Sequence, residues 1–424
     1  MMPSVQPAEG SDFPGSSHAR TGILVFLALL ALAGCGGDPL SPVGGHAPAV
    51  AVASDSAQDG RLVEGARSAS ETPPSEAQPS GSREAADPAV AAPAVPKKVQ
   101  YAYDPSASWL IAHADPDGGW PRRAEGSEAA PPLDVAATSL ALLTFLSQGY
   151  THRSEGDGGV GTAIGLALRR MKSLQAADGQ LAGTSSQDAV RAHALATLAL
   201  LEDYGMTESV VVREPARRAF AALLGLRKES GGWASDAGAR GDDAEATAFA
   251  VLACAQAGQI VKWQRAAERV PEIPVEASLL DSFRSWAERE GRSAAGSAVR
   301  VEAAQVIALA VGGEDPTSSN DVLDAVARIR AACQGDAVAL DPVERFLSMV
   351  AITVTGCERS ESWRKAFFED LTRLQRGGKD PVELRGSFDP PAGDLRATAR
   401  TEATALWTLA EWPTRCCYGP PRLR

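Results

Sequence analysis

The sequence is poor in cysteine, in basic runs and in strand-like alternation, and each shortage excludes a class of site or fold. Its 424 residues include six cysteines with no Cys-x-x-Cys pair, and its five histidines show no ligand spacing, so neither a metal site nor another cofactor is predicted. Acidic residues outnumber basic ones by 53 to 41, and the resulting net charge of −12 argues against binding to nucleic acid. Alternation of apolar and polar residues is almost absent after residue 101, which argues against a β-sheet fold.

The cysteines after residue 35 fall into two groups. Cys254, Cys333 and Cys357 lie within apolar helical patterns, which predicts buried thiols. Cys416 and Cys417 are adjacent near the C-terminus, where they could pair with a partner chain or stay free.

The first 35 residues have the pattern of a secretory signal. An apolar run at residues 23–33 follows Arg20 and is too short to span a bilayer as a helix. The sequence Leu-Ala-Gly-Cys at residues 32–35 resembles the bacterial lipobox, whose cysteine is acylated and becomes the mature N-terminus. The resemblance implies that Cys35 anchors the chain to a membrane of the bacterial envelope, facing the periplasm or the exterior. An ordinary signal with an incidental cysteine is the alternative.

Residues 36–99 are rich in Ala, Pro, Ser, Glu and Gly and have very few long apolar side chains. Such a segment cannot bury enough apolar surface to offset its conformational entropy, so we expect a disordered tether. The tether would lift a folded domain, expected at residues 100–418, away from the membrane.

This domain repeats one unit, which consists of a helix end, a glycine turn carrying an aromatic residue and a strongly apolar helix. Glycine lets the chain double back and lay the aromatic ring on the preceding helix. The rings are therefore interpreted as structural staples, with a ligand-stacking platform as the alternative. The residues concerned are Gly118, Gly119 and Trp120, then Gly231, Gly232 and Trp233, then Gly386 and Phe388, with a weaker copy at Gly179 and Leu181.

Twelve helical stretches are predicted, near residues 104–114, 134–149, 158–175, 188–204, 213–228, 243–257, 275–290, 298–311, 319–333, 341–355, 361–376 and 398–411. Glycines follow several apolar runs where a left-handed C-terminal residue is favoured, at Gly149, Gly205, Gly258, Gly291, Gly312 and Gly356. Aspartates stand at expected helix starts, at Asp134, Asp188, Asp243 and Asp341.

The twelve helices form six pairs whose members differ in character. The second helix of a pair is apolar nearly all round, which is typical of a buried helix, whereas the first carries a charged stripe. Stacking six such pairs into a closed ring would place the second helices inside and the first helices outside. The predicted fold is all-α, an (α/α)6 toroid.

The glycine–tryptophan repeats resemble those of squalene–hopene cyclases and of the related protein prenyltransferases. The likeness is strongest to bacterial envelope proteins that carry an opening Trp-Leu…Asp-Gly-Gly-Trp, a middle His-Ala-x-Ala-Thr-Leu-Ala-Leu and a closing Gly-Ser-(Trp/Phe)-Asp-Pro. Here these motifs are residues 109–120, 193–200 and 386–390. The resemblance covers about residues 105–411 and implies a toroid fold rather than a particular activity.

Three glutamates occupy matching places near the starts of second helices, at Glu245, Glu302 and Glu402. If those helices line a barrel, these carboxylates are expected to converge at one mouth, with Asp242 or Asp243 nearby. Simple dipole partners at helix N-termini are the alternative.

Three classes of function follow from this set. A squalene-type cyclase would protonate an alkene with an Asp-x-Asp-Asp cluster. The segment from Asp243 to Thr247 has Glu in place of the middle Asp and Ala in place of the last, and the aromatic content of 5% is low for stabilising carbocations. A polysaccharide-acting enzyme could use two of the three glutamates, with His193 as a cavity base or only a core residue. A tethered, non-catalytic module that binds a protein, glycan or lipid needs none of these, and this interpretation is preferred.

Overall fold

The computed structural model describes residues 105–416 except 121–130, 156–158, 182–187, 277, 316–318, 335–339, 356–368, 370 and 395–397. The predicted signal with Cys35 and the predicted linker lie outside the described residues, as do Gly356, Cys357 and Cys417.

The described residues are helical, which confirms the all-α prediction for this part of the chain, and their only bridge-like pairing joins Asp243 and Ala295. Residues 371–374 are also helical. The helices are α1 (Pro105–Ala112), α2 (Pro131–Ser147), α3 (Val160–Leu174), α4 (Ala189–Thr207), α5 (Val210–Gly225), α6 (Ala244–Ala266), α7 (Ser278–Arg289), α8 (Ala298–Val311), α9 (Asn320–Gln334), α10 (Pro342–Val354) and α11 (Ala399–Cys416), with short 3-10 helices at Gly291–Ser293 and Val382–Leu384.

The predicted helix ends are correct in part. Gly149 follows α2 with a left-handed φ of 88°, as expected. Gly205 and Gly258 were predicted to end helices and this is wrong, because α4 and α6 continue through them with their apolar pattern intact. Gly291 begins a 3-10 helix, and Gly312 ends α8 at a φ of −68° rather than in the left-handed region.

The predicted helix starts are also correct only in part. The side chains of Asp243 and Asp341 each accept a backbone hydrogen bond as N-caps, and Asp341 forms a capping box with Glu344. Asp188 precedes α4 without a side-chain cap. Asp134 was expected at a helix start, but α2 already begins at Pro131, since proline fits the first turn of a helix.

Burial differs between the two kinds of helix as their patterns predict. Almost every residue of α4 is buried, and α6 is buried along most of its length. The charged helices α3, α5 and α7 bury only one face. The hydrophobic core therefore lies among the apolar helices, and the charged helices cover it.

The apolar helices contact one another in a closed series. Helix α2 packs against α4, α4 against α6, α6 against α8, α8 against α10, α10 against α11, and α11 against α2. The remaining helices pack on this series, since α5 packs on α4, α7 and α9 pack on α8, and α1 packs on α11.

Four glycine turns each pack against the first helix of another repeat. Their glycines have φ between 90° and 94°, a conformation that other residues rarely adopt. A Cβ at any of them would lie within 3 Å of the backbone of that helix, namely at Leu166 for Gly118, Arg218 for Gly179, Ser282 for Gly231 and Pro105 for Gly386. The last turn thus packs on the first helix.

Helix α6 is long and apolar enough to cross a membrane by length and composition alone. The most apolar stretch of this helix is 83% buried within the domain. A core helix of a folded domain has the same properties, and the buried apolar residues of α6 belong to the hydrophobic core.

Candidate functional site

One hydrogen bond recurs at each glycine turn and fixes the start of the following apolar helix. The backbone N–H of Trp120 donates to Thr138 Oγ1 at 3.1 Å, that of Trp233 to Thr247 Oγ1 at 2.9 Å, and that of Phe388 to Thr404 Oγ1 at 3.0 Å. At the fourth turn, the N–H of Leu181 donates to His193 Nδ1 at 3.2 Å. These bonds define a common register for α2, α4, α6 and α11.

The aromatic rings at the turns are buried, as a staple requires. Trp120 and Trp233 have no exposed surface, and Phe388 is 3% exposed. The indole N–H of Trp120 donates to the carbonyl of Leu110 at 2.8 Å, and that of Trp233 donates to the carbonyl of Leu223 at 2.8 Å. Each tryptophan therefore joins the helix before its turn to the helix after it.

The residue two places before each threonine or histidine occupies an equivalent position in all four helices. It is Ala136 in α2, Arg191 in α4, Glu245 in α6 and Glu402 in α11. Small and charged residues of both signs thus share one register near the helix N-termini.

The charged residues at this level form a continuous ion-pair chain, defined here as Glu402, Arg191, Glu245, Arg300 and Asp341. Arg191 contacts Glu402 at 3.5 Å and Glu245 at 3.2 Å, through different guanidinium nitrogens. Arg300 contacts Glu245 at 2.8 Å and also pairs with Asp341. The chain alternates in sign and joins α11, α4, α6, α8 and α10.

Arg191 and Glu402 belong to helices that are not neighbours in the closed series, since α2 packs against both α4 and α11. At the same register α2 has the small and fully buried Ala136. The absence of a long side chain there leaves room for Arg191 and Glu402 to meet.

The Glu402 end of the ion-pair chain is buried and the Asp341 end is partly exposed. Side-chain exposure is 8% for Arg191 and 5% for Glu402, but 26% for Arg300 and Asp341. Thr398 adds a hydroxyl hydrogen bond to Glu402 at 2.8 Å. A buried charge needs such partners, because an unpaired one is strongly destabilising.

Burial and ion pairing shift the pKa values of Arg191 and Glu245 in opposite directions. Burial acts to lower the pKa of the Arg191 guanidinium, but the neighbouring carboxylates, Glu245 first among them, together raise it. Burial raises the pKa of the Glu245 carboxyl, and the two arginines oppose that rise. Contact with two guanidinium groups favours the carboxylate anion of Glu245.

The structure brings two of the three predicted glutamates to one arginine. Glu302 instead pairs with Arg328 of α9, and its side chain is 22% exposed. Asp243 caps α6 by accepting the N–H of Ala246 at 2.8 Å. Asp242 accepts hydrogen bonds from Ser230 at 3.0 Å and from the indole of Trp286 at 2.9 Å.

Both ring nitrogens of His193 are used within the fold. Besides accepting the Leu181 bond at Nδ1, the ring places Nε2 at 3.1 Å from the carbonyl of Ala219 on α5. Burial lowers the pKa of His193 to about 4, so the neutral ring with hydrogen on Nε2 fits both contacts. This geometry is that of a core histidine rather than a base open to substrate.

Sequence reasoning missed Arg191 and Arg300 as members of the site and interpreted Asp341 only as a helix start. A signal was present for Arg191, since it stands two places before His193 as Glu245 stands two places before Thr247. The register becomes visible once histidine is seen to replace threonine as the acceptor at the turn.

Buried thiols are confirmed for Cys254 and Cys333, and burial raises the pKa of each. Among the described residues, no group of three or more His, Cys, Asp or Glu side chains is arranged to hold a metal ion. No protein-family model matches the chain, and no curated protein matches it.

Proposed function

We propose that this protein is a lipid-anchored envelope protein whose helical domain is a non-catalytic binding or scaffold module. The ion-pair chain carries the proposal, because it engages the groups that an enzyme would need free. The anchor rests on the lipobox-like sequence that ends at Cys35.

The domain is proposed to be an (α/α)6 toroid. The closed series of contacts through α2, α4, α6, α8, α10 and α11 supports this arrangement, and so does the packing of the last glycine turn on Pro105. In such a ring the ion-pair chain would cross one mouth, with Arg191 reaching past α2 to Glu402. A mouth crossed by paired side chains favours a scaffold over an open substrate channel.

Cyclase chemistry is disfavoured by the surroundings of Glu245. Protonating an unactivated alkene requires an acid that holds its proton and releases it to the substrate. Glu245 lies 3.2 Å from Arg191 and 2.8 Å from Arg300, and both cations favour its anion. Asp243 is occupied as a helix cap.

Polysaccharide cleavage is disfavoured by what lies between Glu245 and Glu402. A glycosidase needs two carboxylates about 5–9.5 Å apart with the sugar, and in some cases water, between them. Here the guanidinium of Arg191 lies between the two glutamates and contacts both. The third glutamate, Glu302, pairs with Arg328 at a separate position.

Native mass spectrometry of the purified full-length protein tests the binding function. A binding module should retain a ligand mass that is released on denaturation, and it should not turn over squalene or defined polysaccharides. Turnover that disappears in Glu245→Gln would identify an enzyme and contradict the proposal. Metabolic labelling with a fatty acid tests the anchor separately, and equal labelling of the wild type and Cys35→Ser would exclude acylation at Cys35.

A further inference from the structure

A small apolar groove lies between two charged helices, away from the ion-pair chain. Its volume is about 120 Å³, and its walls come from α3, α5 and one residue of α4. The apolar lining residues are Gly165, Leu168, Leu200, Val211, Val212 and Pro215. A Cβ at Gly165 would meet nothing within 4 Å, so the missing side chain of this glycine leaves the groove open.

The apolar surface continues beyond the groove at the start of α5. Val210 is 68% exposed and Val211 is 62% exposed, which makes them two of the most exposed large apolar residues among those described. Two adjacent valines in water beside an apolar groove form the kind of patch that a partner covers.

The edge of the groove carries positive charge that the described residues do not neutralise. Arg169 and Lys172 both line it, and neither side chain has an ion pair or hydrogen bond to any described residue. Arg170, which lies between them, pairs with Asp117. Unpaired cations beside an apolar groove are notable in a chain with a net charge of −12.

The third basic residue at the groove, His152, already has a partner within the fold. His152 Nδ1 lies 2.9 Å from Asp203, whose side chain is fully buried. The available charge for a ligand therefore comes from Arg169 and Lys172, which stand one turn apart on α3.

The volume of the groove limits the size of the group that can bind in it. An apolar cavity of about 150 Å³ accepts a benzene molecule, so this groove suits a single aliphatic side chain and is small for an acyl tail. Binding sites of this type combine one buried anchor with charges at the rim that select the partner.

We propose that this groove binds an acidic peptide segment of a partner protein, which inserts one leucine- or isoleucine-like side chain and pairs its carboxylates with Arg169 and Lys172. The inference rests on the proposed binding function and assigns it a surface and a partner class. The positive rim fits an acidic peptide and an anionic lipid equally, but the small volume of the groove favours a peptide side chain over an acyl tail.

Fluorescence anisotropy with a labelled acidic nonapeptide that has one central leucine tests the proposal. The protein is the full-length chain carrying Cys35→Ser, so that acylation at residue 35 cannot contribute to binding. Replacing the central leucine by serine should weaken binding about tenfold or more, because a buried leucine contributes roughly 1.5–3 kcal/mol. Replacing the acidic residues by lysine should abolish it.

Two variants address the two halves of the site. Gly165→Leu should fill the groove and remove the preference for leucine over serine. Arg169→Glu with Lys172→Glu should reverse the charge preference, so that the lysine-flanked peptide now binds better. The matched control is Lys262→Glu with Arg292→Glu, which changes the net charge equally at exposed sites outside the groove and should not reverse the preference.

Several outcomes would overturn the proposal. One is equal binding of acidic and lysine-flanked peptides, and another is a charge-reversal effect that the control variant reproduces. Binding to phosphatidylglycerol vesicles that requires Arg169 and Lys172, with no peptide binding, would instead identify a lipid surface. If no peptide binds but native mass spectrometry still detects a retained ligand, the groove is not the binding site. The proposed binding function would then stand without it.

Discussion

The backbone N–H of Leu181 donates to Nδ1 of His193 in the place where the other three turns use a threonine hydroxyl. This bond makes His193 part of the repeat rather than an exception to it. The ring then extends further than threonine could and reaches the carbonyl of Ala219 with its other nitrogen. A histidine that appeared to be a candidate base in the sequence is therefore a turn acceptor with an added helix contact.

Exchange of His193 for the residue of the other repeats tests this relationship. His193→Thr should keep an acceptor for Leu181 and cost less stability than His193→Ala. The alanine variant should lose roughly 1–3 kcal/mol, because a buried donor is left without a partner. Urea unfolding of both variants gives the comparison, and equal losses would show that the Leu181 bond contributes nothing measurable.

The periodicity of apolar residues was sufficient to predict the described helices. Each repeat packs one buried and one half-exposed helix, and these two environments require different patterns of apolar and charged residues. Helix ends were less predictable at Gly205 and Gly258, since glycine is tolerated inside a long helix whose neighbours remain buried. The partners of Glu245 could not be predicted from one sequence. They come from α4 and α8, and only the packing of those helices brings Arg191 and Arg300 to it.

At the glycine turns, the backbone conformation of single residues could not be predicted from the sequence either. The positive φ falls on Gly118 and Gly231, the first glycine of each pair, and not on Gly119 or Gly232. The second position accepts Ser387 in another turn, which agrees with its ordinary backbone. Gly232 is nevertheless confined, because a Cβ there would meet the side chains of Trp286 and Asp242.

Alanine substitutions at glycines with a positive φ should therefore separate the cost of backbone strain from the cost of a steric clash. Gly118→Ala and Gly386→Ala introduce a Cβ into a left-handed residue and also into the backbone of α3 and of α1, respectively. Gly393→Ala has a similar φ of 84° but meets nothing within 4 Å. We expect a loss of about 1–2 kcal/mol at Gly393 from strain alone, and clearly larger losses at the other two. Thermal unfolding distinguishes them, and equal losses at all three would contradict the proposed packing role.

Removal of the shared cation should destabilise the ion-pair chain. Arg191→Leu leaves Glu245 and Glu402 buried without it, and breaking a buried pair in this way costs about 3–5 kcal/mol. Adding Glu402→Gln to Arg191→Leu should recover part of the loss, since it removes a buried carboxylate that has lost its contact with Arg191, whereas Glu245 keeps its contact with Arg300. Denaturant unfolding measures each step.

The contacts of Arg191 also determine how glutamine substitutions at Glu245 and Glu402 should affect stability. Arg191 contacts both Glu245 and Glu402, so replacing these two residues by glutamine should make the protein less stable than the wild type rather than relieve repulsion between like charges. The exposed pair of Arg217 and Glu214 provides the control, and Arg217→Leu should have little effect. A stable Glu245→Gln/Glu402→Gln protein would show that the chain of ion pairs does not hold the helices together.

Glu202 should make the stability of the domain depend on pH. This residue of α4 is 5% exposed, and its Oε2 has no hydrogen-bond partner among the described residues. Burial, with a smaller contribution from Asp203, raises the pKa of Glu202 from an ordinary value of 4.5 to about 8. Between these two values the folded protein keeps a proton that the unfolded chain has lost, so the free energy of unfolding falls as pH rises from about 4.5 to about 8. Each pKa unit corresponds to roughly 1.4 kcal/mol, so the fall should amount to a few kcal/mol.

Glu202→Gln cannot lose that proton and should remove this part of the pH dependence. The variant should match the wild type near pH 4.5 and be more stable than it near pH 8.5, where the wild-type carboxylate is charged and buried. Urea unfolding at the two pH values measures the difference, with Glu229→Gln as an exposed control that should behave like the wild type. A parallel pH dependence in the wild type and Glu202→Gln would mean that Glu202 ionises without a folding penalty, and a donor near its Oε2 would then have to be sought.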